Sequence, residues 1–334
     1  MRTALAACAV AAAALVGCGS TAGEEAAGPT SPASATVPSG ESDPADALAA
    51  VVEQDFPDPD VLLVGDTYHA YATQPRDGSV NVQVATSTDL RTWTVEVMDP
   101  LPELPAWATS GRTWAPEVTA VGDAFVMYLT AHSVDPDRQC IGVARSTAPT
   151  GPFRPVGDEP LVCPAARGGA IDAASFLDRD GARYLLWKND GNCCGKDTWL
   201  HLQPLSRDGL RLTGPAVRLV KQTEAWEGDL VEAPSLVRRG STYVLFYSAN
   251  SYGGGEYATG YATATDVEGP YRKADDPFLT TEGTGITGPG GADVFADTEG
   301  RTRIAFHGWD EAVVSRYMYV ADLGWRGDEP TFGR

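Results

Sequence analysis

The sequence predicts an all-β fold, a five-bladed β-propeller with four antiparallel strands per blade, from three observations. A unit that opens "DPDVLLVGDTYHAYAT" at Asp58 has four echoes: "APEVTAVGDAFVMYLTA" from Ala115, "IDAASFLDRDGARYLLWKND" from Ile171, "EAPSLVRRGSTYVLFYSAN" from Glu232 and "GADVFADTEGRTRIAFHGW" from Gly291. The acids that head the units, Asp58, Glu117, Asp172, Glu232 and Asp293, fall about 55–61 residues apart. No stretch carries a sustained 3.6-residue apolar stripe, so few helices are expected.

Inside each unit a short apolar strand runs into a Gly/Asp turn and a second strand rich in aromatic and β-branched residues, which is a hairpin signal. Third strands follow as "VNVQVATS", "QCIGVARS", "TWLHLQPL", "YATGYATA" and "SRYMYVAD", and shorter fourth strands as "RTWTVEV", "GPFRPV" and "GPYRKA". Four-stranded units repeated radially are propeller blades. A sandwich would not repeat so regularly. The expected propeller domain covers residues 51–334.

What precedes it reads differently. Residues 1–17 combine Arg2 with an apolar run of small residues, too short and weakly hydrophobic for a membrane span and suited to an export signal. "LVGC" resembles the bacterial lipobox, which would make Cys18 a lipidated residue anchoring an exported chain to the outer face of the membrane. Residues 18–50 are rich in Gly, Ser, Thr, Pro and Ala, and are expected to be a disordered tether. The formal charge of −20 disfavours nucleic acid and anionic lipid as partners and suits a neutral one.

Cys140, Cys163, Cys193 and Cys194 form an even set, read in an exported protein as two disulfides. Adjacent Cα atoms sit closer than an unstrained bridge prefers, so a Cys193–Cys194 bond is disfavoured. The two remaining pairings both tie the 193–194 loop back to the Cys140–Cys163 region. Zinc is disfavoured by the lack of paired CxxC spacing and the scarcity of histidine.

In a propeller the first strand of each blade lines the axis, so the five heading acids are expected at equivalent places around one end of it. The loops after the second strands share that face and hold His132, Asn189, Asp190, Asn250, Tyr252, His307 and Trp309. Trp114 and Trp226 are expected beside the same mouth, either packed between blades or in contact with a ligand. A polar pocket flanked by aromatic rings suits a sugar, stacking its CH face and bonding its hydroxyls. Acids crowded around one cavity have their pKa values pushed apart, so one can serve as base and another as acid. Glycoside hydrolysis needs such a pair.

These motifs, in order and at blade spacing, resemble family 43 glycoside hydrolases from about Phe56 to about Phe332. The resemblance implies that Asp58, in "DPDV", is the general base that activates water. It implies that Asp172, in "AIDAASF", tunes and holds the acid, and that Glu232, in "WEGDLVEAPSL", protonates the leaving oxygen. "WAPEV" looks like the blade-two signature, with Glu117 near the pocket, and Arg316 matches an arginine that points into the site. Asp60 is left to local turn chemistry.

The implied chemistry is inverting single-displacement hydrolysis without an organic cofactor. Many members carry "GPGH" where this chain has "GPGG"; Gly291 in place of that histidine argues against a central calcium ion, and His307 is not expected to be a metal ligand. The implied substrates are arabinan, arabinoxylan or xylo- and arabino-oligosaccharides. α-L-Arabinofuranosidase or exo-arabinanase stands first, with β-xylosidase and endo-arabinanase behind it. A non-catalytic carbohydrate-binding propeller lipoprotein is the competing reading. Substrate contacts are expected from Trp114, Glu117, Asn189, Trp226, Asn250, His307 and Arg316.

Overall fold

Each repeat unit folds as a four-stranded antiparallel sheet whose strands neighbour one another in chain order. The structure is a computed structural model that describes residues 48–333. The expected export signal, Cys18 and the tether as far as residue 47 lie outside the described residues.

Blade one comprises β1 (Asp60–Val64), β2 (Thr67–Thr73), β3 (Val82–Ser87) and β4 (Thr94–Val95), and blade two β5 (Ala108–Val121), β6 (Ala124–Ser133), β7 (Arg138–Ser146) and β8 (Arg154–Pro155). Blade three is β9 (Ala170–Leu177), β10 (Arg183–Asn189), β11 (Trp199–Leu205) and β12 (Val217–Lys221). Blade four is β13 (Val231–Arg239), β14 (Thr242–Ala249), β15 (Ala258–Ala264) and β16 (Arg272–Lys273). Blade five is β17 (Thr287–Ala296), β18 (Thr302–Trp309), β19 (Arg316–Arg326) and β20 (Glu329–Gly333).

One glycine closes the first hairpin of every blade: Gly65, Gly122, Gly181, Gly240 and Gly300 all take positive φ, a conformation that costs a residue without Cβ little. The ring closes between the ends of the propeller. Val51 N–H donates to the Met318 carbonyl and Phe56 N–H to that of Arg316, both at 2.8 Å, so the residues before β1 pair with β19.

The core is divided among the junctions between blades rather than held in one place. Between blades three and four, Leu186, Leu200 and Leu202 pack against Tyr243, Leu245 and Tyr247. Comparable clusters fill the junctions of blades four and five, five and one, one and two, and two and three. Burying one such leucine contributes about 1.5–3 kcal/mol.

The innermost strands carry the finding that matters for function. One residue per blade takes positive φ at the same place: Asp58, Ala115, Asp172, Ala233 and Gly291, at 56°, 39°, 55°, 49° and 59°. Two residues further down the axis lie Asp60, Glu117, Ala174, Ser235 and Asp293, which with the residues between them line an axial channel. The five heading acids are therefore not equivalent. Asp58 and Asp172 share the upper tier, Glu232 precedes that tier by one residue, and Glu117 and Asp293 belong to the tier below. A fixed interval of about sixty residues conceals shifts of one or two, and each such shift moves a side chain to another face or depth.

The lower tier joins the blades. Asp60 Oδ2 accepts the Val118 N–H at 2.8 Å, Glu117 Oε1 accepts the Ser175 N–H at 3.0 Å, Ser235 Oγ accepts the Val294 N–H at 3.2 Å, and Asp293 Oδ2 accepts the Val61 N–H at 3.0 Å. Ala174 leaves the fifth such place without a side-chain acceptor. Asp60 is therefore a buried link between blades one and two, which corrects its assignment to a local turn.

The cysteine pairing also differs from expectation. Ile141 and Val162 form an antiparallel bridge, which sets Cys140 beside Cys163 with Cα atoms 4.7 Å apart, and these two are bonded. Cys193 and Cys194 are bonded to each other in the turn after β10. Strand pairing claims Cys163 for Cys140, so no covalent tie reaches the 193–194 loop. A backbone bond from Asp190 N–H to the Gly169 carbonyl, 3.1 Å, holds that loop instead.

Burial pushes the Asp293 carboxyl up to about 7, with Glu117 adding repulsion. Asp60 is raised well above the ordinary range by burial and by its acidic neighbours Glu117 and Asp293. A carboxyl whose folded pKa is raised stabilises the fold below its unfolded pKa, and that contribution is lost as pH rises through the folded value. For Asp293 the window runs from about pH 4 to about pH 7. Asp293→Asn keeps an acceptor for the Val61 N–H and removes the ionisation. Thermal melts at pH 5 and pH 8 should therefore show a smaller loss of Tm in the variant than in the wild type. The expected difference is about 2–3 kcal/mol, or several degrees at about 2–4 °C per kcal/mol. Equal losses in both proteins would contradict the assignment.

Candidate active site

A second ring of hydrogen bonds lies above the first and builds the site. In each blade one residue near the end of the second strand stands beside the residue just before the positive-φ position: Thr73, Thr130, Lys188, Ser248 and His307. Four of them accept the backbone N–H of the next blade's positive-φ residue. Thr73 Oγ1 takes that of Ala115 at 2.8 Å, Thr130 Oγ1 that of Asp172 at 3.2 Å, Ser248 Oγ that of Gly291 at 2.9 Å, and His307 Nδ1 that of Asp58 at 3.0 Å. Left-handed backbone is costly for a residue with a Cβ, and asparagine and aspartate tolerate it best. The caps hold the kink, and the kink aims the upper-tier side chains toward the mouth of the channel.

That mouth opens into a cavity of about 410 Å³ bounded by Asp58, Trp114, Asp172, Lys188, Glu232, Tyr252, Tyr257 and Arg316, with Thr73, Ile171, Asp190, Asn192, Cys193, Leu230 and Ser251 around them. The three acids expected to act together are thus in one cavity. Trp114, 36% exposed, and Arg316 stand in its wall as expected.

The acids are in unequal states. Asp58 Oδ2 accepts the Thr73 hydroxyl at 2.6 Å, and Oδ1 lies 3.5 Å from Arg316 Nη1. Burial works against its charge, but Arg316 and the Thr73 hydroxyl outweigh it and hold the pKa below the ordinary value. Burial and Arg316 push His307 down to about 3, so its imidazole is neutral and Arg316 is the permanent cation beside Asp58. Asp172 goes the other way, up to about 8, through burial and repulsion from Glu232, against the pull of Lys188. Its Oδ2 accepts the Ala233 N–H at 3.0 Å. Glu232 is held at both oxygens: Lys188 Nζ donates to Oε2 at 2.8 Å, and the Tyr257 hydroxyl to Oε1 at 2.9 Å. At neutral pH the cavity holds an ionised carboxylate on blade one and a proton on the blade-three side.

Several expected contacts have other duties. Glu117 lies below the cavity, its Oε1 bonded to the Ser175 N–H and hydroxyl. Asn189 is 3% exposed, donates to the Arg167 and Asp197 carbonyls, and accepts the Trp199 N–H. It ties the loop after β10 together. The Trp226 ring lies on Tyr247, with centroids 6.0 Å apart, and so close to Gly260 that a Cβ there would meet it at 2.6 Å. Trp226 thus packs on blade four, against the cluster at its junction with blade three. Asn250 turns its Oδ1 to the Ser251 N–H and takes φ of 70°, a turn role. His307 is buried and touches Asp58 rather than the cavity. Asn189 and Asn250 spend their side-chain amides on holding loops, His307 Nδ1 caps a strand and Glu117 links two blades below the cavity.

Position 291 tests the calcium reading. A Cβ on Gly291 would meet His307 Nδ1 at 2.6 Å and Asp58 Oδ1 at 3.1 Å, so an imidazole has no room there. The residues present do not fit the calcium position that the resemblance ties to a histidine.

Lys188 and Tyr257, the two side chains bonded to Glu232, are not among the residues the sequence singles out. A signal existed for Lys188: in "YLLWKND" a lysine interrupts an apolar strand at the place where other blades carry Thr, Ser or His.

Known proteins carry the same fold. The crystal structure of a thermostable family-43 glycoside hydrolase superposes with a TM-score of 0.76 at 26% identity, covering 86% of this chain and 96% of that one. An endo-1,4-β-xylanase from Bacteroides thetaiotaomicron does so with a TM-score of 0.74 at 28% identity, covering 86% and 97%. A β-D-galactofuranosidase (xynD) of Aspergillus niger is 29% identical over 75% of this chain and 73% of its own. The extracellular endo-α-(1→5)-L-arabinanase 1 of Bacillus subtilis is 24% identical over 82% and 87%. A family model described as glycosyl hydrolases family 43 matches residues 48–329, all five blades, and the chain belongs to that family of glycosidases.

Proposed function

We propose that this glycosidase removes α-L-arabinofuranosyl residues from arabinan, arabinoxylan or their oligosaccharides by inverting, single-displacement hydrolysis. The observation that carries the reading is the inequality of two acids in one cavity, Asp58 held ionised beside Arg316 and Asp172 protonated up to about 8. Asp58 takes a proton from water as the water oxygen bonds to the anomeric carbon. Glu232 takes up the proton that Asp172 holds in the resting site and gives it to the leaving oxygen as the bond from that oxygen to the anomeric carbon breaks, which leaves Asp172 ionised. This division of labour is general acid–base catalysis on a glycoside.

The furanoside preference has support from chemistry. One relative is named for β-D-galactofuranose and another for α-(1→5)-L-arabinan. The two sugars share the configuration around the five-membered ring, so one pocket shape can suit both. A cavity of about 410 Å³ walled by Trp114 and Tyr252 suits a terminal residue better than a long chain. β-Xylosidase activity is the second reading, because a structural neighbour is named as a xylanase.

Aryl α-L-arabinofuranosides, β-D-galactofuranosides and β-D-xylosides, assayed together, test the substrate. The arabinofuranoside should be cleaved with the highest kcat/KM, and a clear preference for the xyloside would overturn the reading. With an arabino-oligosaccharide as substrate, Glu232→Ala should lower kcat at least about 100-fold, and Tm should fall too because the buried Lys188 loses its partner. Trp114→Ala should raise KM with little change in Tm. Trp226→Ala should cost about 3–5 kcal/mol of stability and leave KM alone.

Export and anchoring through Cys18 belong to the same proposal, supported by the apolar run, "LVGC" and relatives named as extracellular. Metabolic labelling with a fatty acid should mark the wild type and not Cys18→Ala; equal labelling of both would exclude a lipid on Cys18.

A further inference from the structure

The upper ring of caps has one exception. Thr73, Thr130, Ser248 and His307 each offer a lone pair to the N–H of the next blade's positive-φ residue. At the junction of blades three and four the same place holds Lys188, whose ammonium can only donate. The orphaned Ala233 N–H is taken by Asp172 Oδ2 at 3.0 Å. The lysine itself reaches over the junction to Glu232 Oε2 at 2.8 Å, with Asp190 Oδ1 at 3.7 Å on its other side. Its side chain has no exposed surface, so water and salt screen the pairing little. A hydroxyl here would have served the fold as it does elsewhere. The buried cation instead acts on the carboxyl group that faces the cavity.

We propose that Lys188 is the positioning residue of the proton-donating carboxyl, fixing Glu232 at Oε2 and setting the pH at which the Asp172–Glu232 pair gives up its proton. This role presupposes those proposed for Asp172 and Glu232. The charged and titratable groups that face the pair are Lys188 and Asp190 from the end of β10 and its loop, Tyr257 from the approach to β15, and Asp58 from the start of β1. Behind Asp58 stand Arg316 and His307, and Arg138 lies near Asp190. Lys188 is the cation in direct contact with Glu232. Tyr257 is neutral, pushed far up by burial. Fixing both oxygens of Glu232 restricts the carboxyl plane, and the cation lowers the pH at which the pair gives up its proton.

The test uses Lys188→Met, which keeps length without charge, and Lys188→Arg, which keeps charge. Two arabinofuranosides are compared, one with an activated aryl leaving group that departs unprotonated and one with a sugar alcohol that must be protonated. In Lys188→Met the basic limb of kcat/KM should move up by about one pH unit or more, because losing a nearby cation favours the protonated pair. Its kcat/KM should fall at least about 10-fold further for the sugar leaving group than for the aryl one. Lys188→Arg should return the limb to the wild-type pH. An unmoved limb with equal losses on both substrates would mean a structural role only, and would overturn the proposal. Carboxyl ¹³C titration of Asp172 gives a readout free of turnover and should move up in Lys188→Met. If the wild type cleaves no glycoside, the functional reading fails while this titration still decides the part played by Lys188; an unmoved titration overturns it. Should Lys188→Met not fold, Glu232→Gln answers the same question from the other side. The Lys188 ¹³Cε titration should then move to lower pH, and no movement overturns the coupling.

Discussion

In every blade of this propeller the innermost segment kinks at one positive-φ residue, whose backbone N–H is bonded by a side chain of the preceding blade. Thr73, Thr130, Ser248 and His307 do so directly, and Asp172 does so where Lys188 cannot. A buried unsatisfied N–H costs about 1–3 kcal/mol, so five such places are a strong constraint on how the blades meet. The kink they secure is what turns Asp58 and Asp172 toward the mouth of the channel. Architecture and chemistry therefore share one set of bonds. The side chains that could be neutral spacers are the ones that touch the acids: Thr73 and His307 both cap a strand and contact Asp58.

The two tiers of the axis divide the acids by task. In the lower tier Asp60, Glu117 and Asp293 face backbone N–H groups and one another without a basic side chain among their bonded partners, and burial raises the pKa of each. In the upper tier basic side chains are present but unevenly placed, Arg316 beside Asp58 and Lys188 beside Glu232. The placement matters more than the count. An acid with a permanent cation and a donated hydroxyl stays ionised despite burial, and one that faces another carboxylate takes up a proton. A chain of net charge −20 could crowd its axis with acids only by such local arrangements.

The fold was legible because it is written five times. Hairpins with a left-handed glycine, aromatic second strands and a near-constant interval survive without any knowledge of packing. The upper-tier acids were legible through motif resemblance, and the cavity does collect Asp58, Asp172 and Glu232. Depth along the axis was not legible, because "DPD", "APE" and "ADV" look alike as heads of units while their acids fall on different tiers. Asn189, Asn250 and Trp226 were read as wall residues from the loops they occupy. A loop's position does not say whether its polar atoms point into the cavity or back into the loop. Lys188 was passed over for the opposite reason: it lies within a strand, where its neighbours suggest core, and only the five-fold comparison marks it as the odd one.

The central claim is that a lone ionised carboxylate on blade one acts on water while the proton comes from the blade-three and blade-four side. The stereochemistry of the first product tests this most directly. Early-time ¹H NMR of the sugar released from an arabinofuranoside should show the anomeric configuration opposite to that of the substrate, before mutarotation mixes the two. Release with the configuration retained would mean that a carboxylate attacks the sugar itself, and would contradict the assignment of Asp58 as the base.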